Sequence, residues 1–345
     1  MTCGLGRERL HRRKEAVRRP GPKEHGKTGP IARLCPGGPA RSKPWSRLAP
    51  YGGTTDDKAT GATMRIAVTG AAGSLGRRVV QLLADRADVD VVAMTRRKLP
   101  AEALPPGVEC AVADYADPPA LRAALKGVDT LVLVSSDGPD ARVLLHHRNV
   151  VAAVVAERVG HVAALSSVDA DSASPFCYAV VNRLTEDLLL ASGVPCSFAR
   201  ASLYIEFFLG WLTQARSTGL LRLPAADGRV SLVARDDVAR ALAALAVGGP
   251  TGRHHDITGP ESTDLAGIAS TAAEVWRTPV AYVDIPADTY SAETAATGLD
   301  PWWLYAFSSL FASVREQRWD RVRDDCAQLT GRLPRTLRDV LSERA

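Results

Sequence analysis

No stretch of this 345-residue chain approaches the roughly 20 consecutive apolar residues needed to cross a bilayer. Its first residues also lack the apolar segment of a secretory signal. CxxC spacing is missing too: Cys3, Cys35, Cys110, Cys177, Cys196 and Cys326 are scattered, as expected of free thiols in a reduced compartment. No internal repeat is visible. These absences argue against a membrane-spanning apolar helix, a disulfide scaffold and a repeat array, and they set the expectation of a cytoplasmic protein. The 46% apolar and 23% charged content fits a globular chain large enough to bury a substantial core.

The net charge of +5 hides an asymmetry. Residues 1–63 hold 14 Lys/Arg against 5 Asp/Glu, so the rest of the chain carries −4. The same segment has 10 Gly and 7 Pro and no helical or strand periodicity, a composition that buries too little apolar surface to offset the entropy of ordering it. The expectation for 1–63 is a disordered basic extension, or translated sequence upstream of a true start at Met64. A nucleic-acid arm and a targeting peptide are the alternatives. A strand, "MRIAVTG", begins at Met64.

From there short apolar runs alternate with helical stretches, the pattern of a doubly wound α/β sheet. Strands are expected at 65–70, 89–95, 108–114, 129–136, 161–167 and 195–201. Helices are expected at 74–86, 117–127, about 140–158 and 176–192, with Asp117 capping the second ahead of Pro118. Beyond Ala201 the alternation becomes irregular. The expected division is a Rossmann-type domain over 64–201 and a small C-terminal substrate lobe over 202–345.

"TGAAGSLGRR" places Gly70, Gly73 and Gly76 directly after the first strand and at the opening of a helix. Glycines there let the chain turn tightly and let backbone N–H groups approach a pyrophosphate, and the helix N-terminus adds partial positive charge. The flanking strand and helix are the context that makes this loop a dinucleotide fingerprint. A carboxylate at the carboxyl end of the second strand would bind the ribose hydroxyls of NAD, and an arginine would accommodate the 2′-phosphate of NADP. Asp90 lies at the wrong end of that strand. Its carboxyl end reads "MTRRK", with Arg96 and Arg97 and no acid, so NADP(H) is expected over NAD(H).

Together, "TGAAGSLGRRV", the arginine after the second strand, "VADYADPPALRAALKGVDTLVLVSS", "SGVPCSFARASLYIEFF" and "LTGRLPRTLRDVL" resemble the NmrA-like, atypical branch of the short-chain dehydrogenase/reductases, over about residues 65–342. Within it the chain is most similar to the NAD(P)H-dependent quinone reductase-like members. The resemblance implies that Ala71, Ala72, Gly73, Ser74 and Leu75 contact the pyrophosphate, with Gly70 and Gly76 framing them. It also implies that Arg96 meets the adenosine phosphate, that Asp114 lies by the adenine, and that Ser135 lies near the nicotinamide-side ribose. Ser166 ends the fifth strand, where related reductases keep a serine that hydrogen-bonds the substrate carbonyl.

Tyr178 follows Ser166 by 12 residues. Related reductases carry Tyr-x-x-x-Lys here, but this chain has Asn182 where the lysine belongs. The ammonium lowers the pKa of the tyrosine and bonds the nicotinamide ribose; Asn182 can bond but brings no charge. Arg183 is adjacent and so not on the same helix face. The candidate catalytic set is Tyr178, Asn182 and Ser166, in a site with little general-acid power. Quinone reduction suits such a site, because it leaves a phenolate-like oxygen of basicity near 10. The leading expectation is an NADP(H)-dependent oxidoreductase passing hydride to a quinone or another electron-poor carbonyl. A non-catalytic redox sensor acting through a protein partner is the alternative. The other partner expectations are a small-molecule substrate, no nucleic acid and no membrane, in a monomer or homodimer.

Helical spacing groups Tyr178, Asn182 and Glu186 on one stripe, with Val181, Leu184 and Leu188 on an apolar one. His146 and His147 are expected on a solvated helix face. "HHD" at 254–256 reads as the start of a strand, without the spacing of a metal site. "LDPWWLYAFSSLF" (299–311) reads as core packing or as a lid, with Tyr204, Phe207 and Phe208 as an opposing wall.

Overall fold

The computed structural model describes residues 63–344; the extension expected over 1–63 lies, but for Thr63, outside the described residues. Elements follow in the order β1 (Met64–Val68), α1 (Ser74–Ala84), β2 (Val89–Thr95), β3 (Glu109–Val112), α2 (Pro118–Leu125), β4 (Thr130–Leu133), α3 (Asp140–Ala156), β5 (His161–Ser167), α4 (Cys177–Ser192) and β6 (Cys196–Ala201). The chain continues through α5 (Ile205–Thr218), β7 (Leu220–Leu223), β8 (Arg229–Val230), α6 (Arg235–Gly248), β9 (His254–Ile257), β10 (Thr263–Asp264), α7 (Leu265–Trp276) and β11 (Ala281–Asp284). It ends with α8 (Ala287–Ala295), α9 (Pro301–Arg315), α10 (Asp325–Thr330) and α11 (Leu337–Ser342).

Seven strands form one parallel sheet in the order β3-β2-β1-β4-β5-β6-β9. Its inner strands are buried on both faces, while the edge strand β3 is partly exposed. On one face Ile66, Val68 and Val132 pack with Val79 and Leu83 of α1 and with Val238, Leu242 and Leu245 of α6. On the other, Ala67, Leu131 and Val162 pack with Leu121 of α2, Val150 and Val154 of α3, and Leu189 of α4. Strand β1 pairs with β2 on one side and β4 on the other, so the order reverses there. Such a switch point opens a crevice at the carboxyl edge of the sheet, between the loops after β1 and β4. The predicted strands and helices up to residue 201 are found, and Asp117 caps α2 by accepting from the Ala120 amide at 3.0 Å.

The expected boundary at residue 201 does not separate sheet from lobe. Beyond it, α6 covers the sheet and β9 adds the seventh strand beside β6. Both were legible as elements, β9 as "HHDITG" and α6 as "RDDVARALAAL" (235–245), a capped helix with Asp236 or Asp237 near its N-terminus, but not as parts of the sheet layer. The pairing of β9 with β6 is long-range and leaves no local mark. The lobe proper gathers α5, α7, α9 and α11 around Phe208, Leu212, Ile268, Leu310, Phe311 and Leu341.

On α4 the predicted stripes are displaced. Leu184 is exposed, whereas Glu186 is 1% exposed and joins Cys177, Val181, Thr185 and Leu189 on the buried face. A buried carboxylate is tolerable only when paired, and Arg200 of β6 supplies the pair, a partner 14 residues away that helical periodicity does not show.

Candidate active site

The β1–α1 turn is shaped by its glycines. Gly70 takes φ +62, a conformation that disfavours any side chain. The Gly73 amide donates back to the Gly70 carbonyl at 2.8 Å. A Cβ on Gly76 would stand 2.7 Å from the Gly70 carbonyl carbon and 3.0 Å from the Ala71 nitrogen, so α1 packs against the turn only with glycine there. Gly73 caps α1 without a side-chain bond, and Ala72, Gly73 and Ser74 are exposed. The first amides of the helix, at Ser74, Leu75 and Gly76, have no intrahelical acceptor and face outward with the positive end of the helix dipole. A dinucleotide pyrophosphate fits this cradle.

At the end of β2, Arg96 and Arg97 are exposed and make no ion pair among the described residues. Asp90 sits at the opposite edge, in register with Arg65 and accepting from the Thr63 hydroxyl at 2.6 Å. Asp114 follows β3 and accepts from the Ala116 amide at 2.8 Å. Near them is His146 of α3, packed on Tyr115 with ring centroids 5.9 Å apart and bonded through Nδ1 to the Ser136 hydroxyl. Burial lowers its pKa; Asp114 opposes that, while Arg142 and Arg96 add to it. Arg96, Asp114 and His146 therefore share one neighbourhood.

At the β4 side the Val134 amide donates to the Thr69 hydroxyl at 2.8 Å, joining the ends of β1 and β4. Ser135 is half-buried in the loop that follows. Further along this loop the Gly138 amide donates to Tyr178 Oη at 2.9 Å. Tyr178 is half-buried between Phe176 (5.7 Å, edge-on) and Trp302 of α9 (6.2 Å, 86°). Burial raises its pKa; the bond from Gly138 and the nearby Trp302 side chain pull it down, and Cys177 and Asp137 push it up. Among the described residues no cation is among the groups that shift it. Asn182, one turn along α4, is half-buried.

A family model described as NAD(P)H-binding matches residues 70–247, the span that holds this cradle, the arginines of β2 and Tyr178. The chain belongs to this NAD(P)H-binding family. It is 32% identical over 286 residues to a (4-alkanoyl-5-oxo-2,5-dihydrofuran-3-yl)methyl phosphate reductase of Streptomyces griseus, covering 81% of this chain and 98% of that protein. Over 237 residues it is 32% identical to quinone oxidoreductase 2 of Escherichia coli, covering 68% of this chain and 82% of the relative. Among solved structures it resembles the NADPH-dependent quinone oxidoreductase of E. coli complexed with NADPH, at TM-score 0.77 and 28% identity, over 81% of this chain and 99% of that one. The resemblance read from the motifs is thus borne out, and the protein is an NAD(P)H-dependent oxidoreductase.

In this oxidoreductase the candidate residues do not all converge. Gly70 to Gly76 line one loop, Arg96 and Asp114 lie near His146, and Tyr178 meets the loop that carries Ser135. The Ser166 hydroxyl is turned elsewhere: it donates to Glu186 Oε1 at 2.6 Å. Arg200 donates to the same carboxylate through Nε (2.8 Å) and Nη2 (2.5 Å), and His254 Nε2 lies 3.2 Å from it. Glu186 is two turns from Tyr178, about 12 Å along the helix. His147 is buried rather than solvated, bonded through Nδ1 to Thr185 at 2.7 Å; it lines the α3–α4 interface, where apolar neighbours exclude water. Of the expected wall, Phe207 faces α9 through Phe307 (5.6 Å), but Phe208 is core and Tyr204 packs under Arg235. Helix α9 is core through Leu310, Phe311 and Val314, and Trp302 in its first turn packs edge-on against Tyr178. His146, expected on a solvated face like His147, is half-buried against Tyr115, and Thr69 went unnoticed in the sequence. A lone histidine or threonine carries no spacing signal, and each acts through a partner on another element.

Proposed function

We propose that this oxidoreductase uses NADPH to reduce a quinone or another electron-poor carbonyl. The observation that carries the reading is that Tyr178 is held by a neutral backbone amide and that, among the described residues, no cation bonds it or shifts its pKa. A phenol in that setting stays protonated at neutral pH, where it donates a hydrogen bond but does not readily surrender its proton. An ordinary ketone needs a positioned acid worth about 10²–10⁴-fold, whereas a quinone leaves a weakly basic phenolate that solvent can protonate.

The reduced nicotinamide, when bound, supplies the hydride. Ala71 to Leu75 hold the pyrophosphate on the α1 amides, and Arg96 pairs with the adenosine 2′-phosphate. Asp114 borders the adenine, and Ser135 orients the nicotinamide-side ribose. Tyr178 donates to the acceptor oxygen, with Asn182 one turn behind it. Phe176 and Trp302 exclude water. The acceptor gains a hydride and, from Tyr178 or solvent, one proton. The relatives named as reductases and the arginines after β2 support this reading. Ser166, committed to Glu186, braces α4 against β5 rather than meeting substrate.

The test is oxidation of NADPH and NADH with a small quinone, comparing wild type with Tyr178→Phe and Arg96→Ala. NADPH turnover that falls less than about tenfold in Tyr178→Phe, and a loss of NADPH over NADH preference in Arg96→Ala by about 10- to 100-fold, are the expected results. Tight NADPH binding without turnover on any quinone or carbonyl would favour a redox sensor, which the absent cation at Tyr178 also suits.

A further inference from the structure

A phenol oxygen accepts two hydrogen bonds and donates one. At Tyr178 the Gly138 amide fills one acceptor position, at 2.9 Å. Gly138 holds φ +108, a backbone conformation that side chains rarely adopt and that glycine allows here. Helix α9 packs against the same tyrosine. Asp300 caps that helix by accepting from the Trp302 amide at 2.8 Å, and Pro301 opens it, which fixes Trp302 in the first turn. Its ring stands edge-on to Tyr178, centroids 6.2 Å apart. The Trp302 Nε1–H is buried and has no acceptor within bonding distance. Even so it lies close enough to the Tyr178 hydroxyl to lower its pKa. A buried donor without a partner is uncommon in a folded protein, and this one stands beside the one hydroxyl whose chemistry lacks its usual cation.

We propose that Trp302 is a positioning residue that takes over part of the work of the missing ammonium. Its indole N–H and the Gly138 amide together cradle Tyr178 Oη, whose own proton has only the Gly138 carbonyl, at a long 3.5 Å, to leave for a substrate oxygen. This rests on the reading of Tyr178 given above. The other groups facing the phenol are Cys177 on α4 and Asp137 on the loop before α3, both of which oppose its ionisation. Asp140 at the start of α3 and Tyr305 on α9 form the next ring out, acting on Cys177 and on one another. Arg142 is turned to the Asp137 carbonyl. The two neutral N–H donors are therefore the groups that favour charge on Tyr178 Oη.

The test replaces Tyr178 with a fluorinated tyrosine that titrates near neutral pH and reads its ionisation by ¹⁹F NMR. In the Trp302→Phe background its ionisation constant should fall by about 3- to 10-fold, the worth of one neutral hydrogen bond, while NADPH affinity stays unchanged. In protein that keeps Trp302, the indole N–H resonance should move with the same titration, a readout that needs no stable variant. An indole resonance blind to ionisation at 178, or an unchanged constant in Trp302→Phe, overturns the proposal. Wild-type protein that fails to oxidise NADPH would refute the proposed function instead, and the titration would still decide the cradle.

Discussion

At the residue scale, the groups that matter most are those whose partners were hidden. Thr185 donates its hydroxyl proton to the Val181 carbonyl, at 2.8 Å. His147 must therefore donate to Thr185 from Nδ1, which leaves Nε2 as a buried acceptor with no partner. Protonating that nitrogen would place an unpaired charge in an apolar interface, so burial drives the His147 pKa down to about 4. His161, bonded through Nε2 to Ser197, is likewise lowered to about 4 by burial. In both cases the unfolded chain takes up a proton between about pH 6.5 and 4 and the folded protein does not, so stability falls with pH across that window. Asp169 has the opposite sign. Burial lifts it to about 6, the folded protein binds the proton first, and acid stabilises it between about 6 and 4. Two losses against one gain predict a net decline of about 3 kcal/mol between pH 7 and 4.5, measured by denaturant melts across that range. His147→Gln should remove about one proton from the slope, and an unchanged slope would refute the assignment.

At the element scale, α1 and its turn were readable because phosphate binding is a local device: a strand end, glycines at set spacing and a helix start, all within ten residues. Gly76→Ala would push α1 away from the Gly70 carbonyl. The expected cost is about 1–3 kcal/mol, with weakened NADPH binding seen in fluorescence titrations. Gly73→Ala should be milder, since its Cβ would meet only the Gly70 carbonyl oxygen, at 3.2 Å. Equal losses in the two variants would mean the cradle is not set by this packing. Helix α4 was found by its length and periodicity, but its faces were misassigned. Apolar counting put Leu184 on the apolar stripe and Glu186 on the stripe of Tyr178; Leu184 is exposed, and the ion pair with Arg200 lets Glu186 lie inside.

At the scale of the whole molecule, the lobe and the sheet are tied near the site by Arg318, just beyond α9. It donates to Asp171 (3.1 Å) and the Ala173 carbonyl (3.2 Å), lies 3.6 Å from buried Asp169, and pairs with Glu316 at 2.7 Å. The clamped segment leads straight into Phe176 and Tyr178. Arg318→Ala would leave the Asp169 carboxylate buried beside no cation, at a cost of about 1–3 kcal/mol. Hydrogen exchange at residues 168–178 should then quicken while exchange in β1 and β4 holds. Uniform quickening would point to global destabilisation instead.

The sequence by itself determined the doubly wound sheet, the phosphate cradle, the arginines after β2 and the tyrosine that lacks its lysine. Each of these is written in residues close together along the chain, where strand, turn and helix chemistry is local. Tertiary structure alone decided that β9 and α6 rejoin the sheet, that Ser166 serves Glu186, that His147 is dry, and that Trp302 stands over Tyr178. Those outcomes depend on pairings across tens to more than a hundred residues, and a buried polar group reveals its role only when its partner is in place.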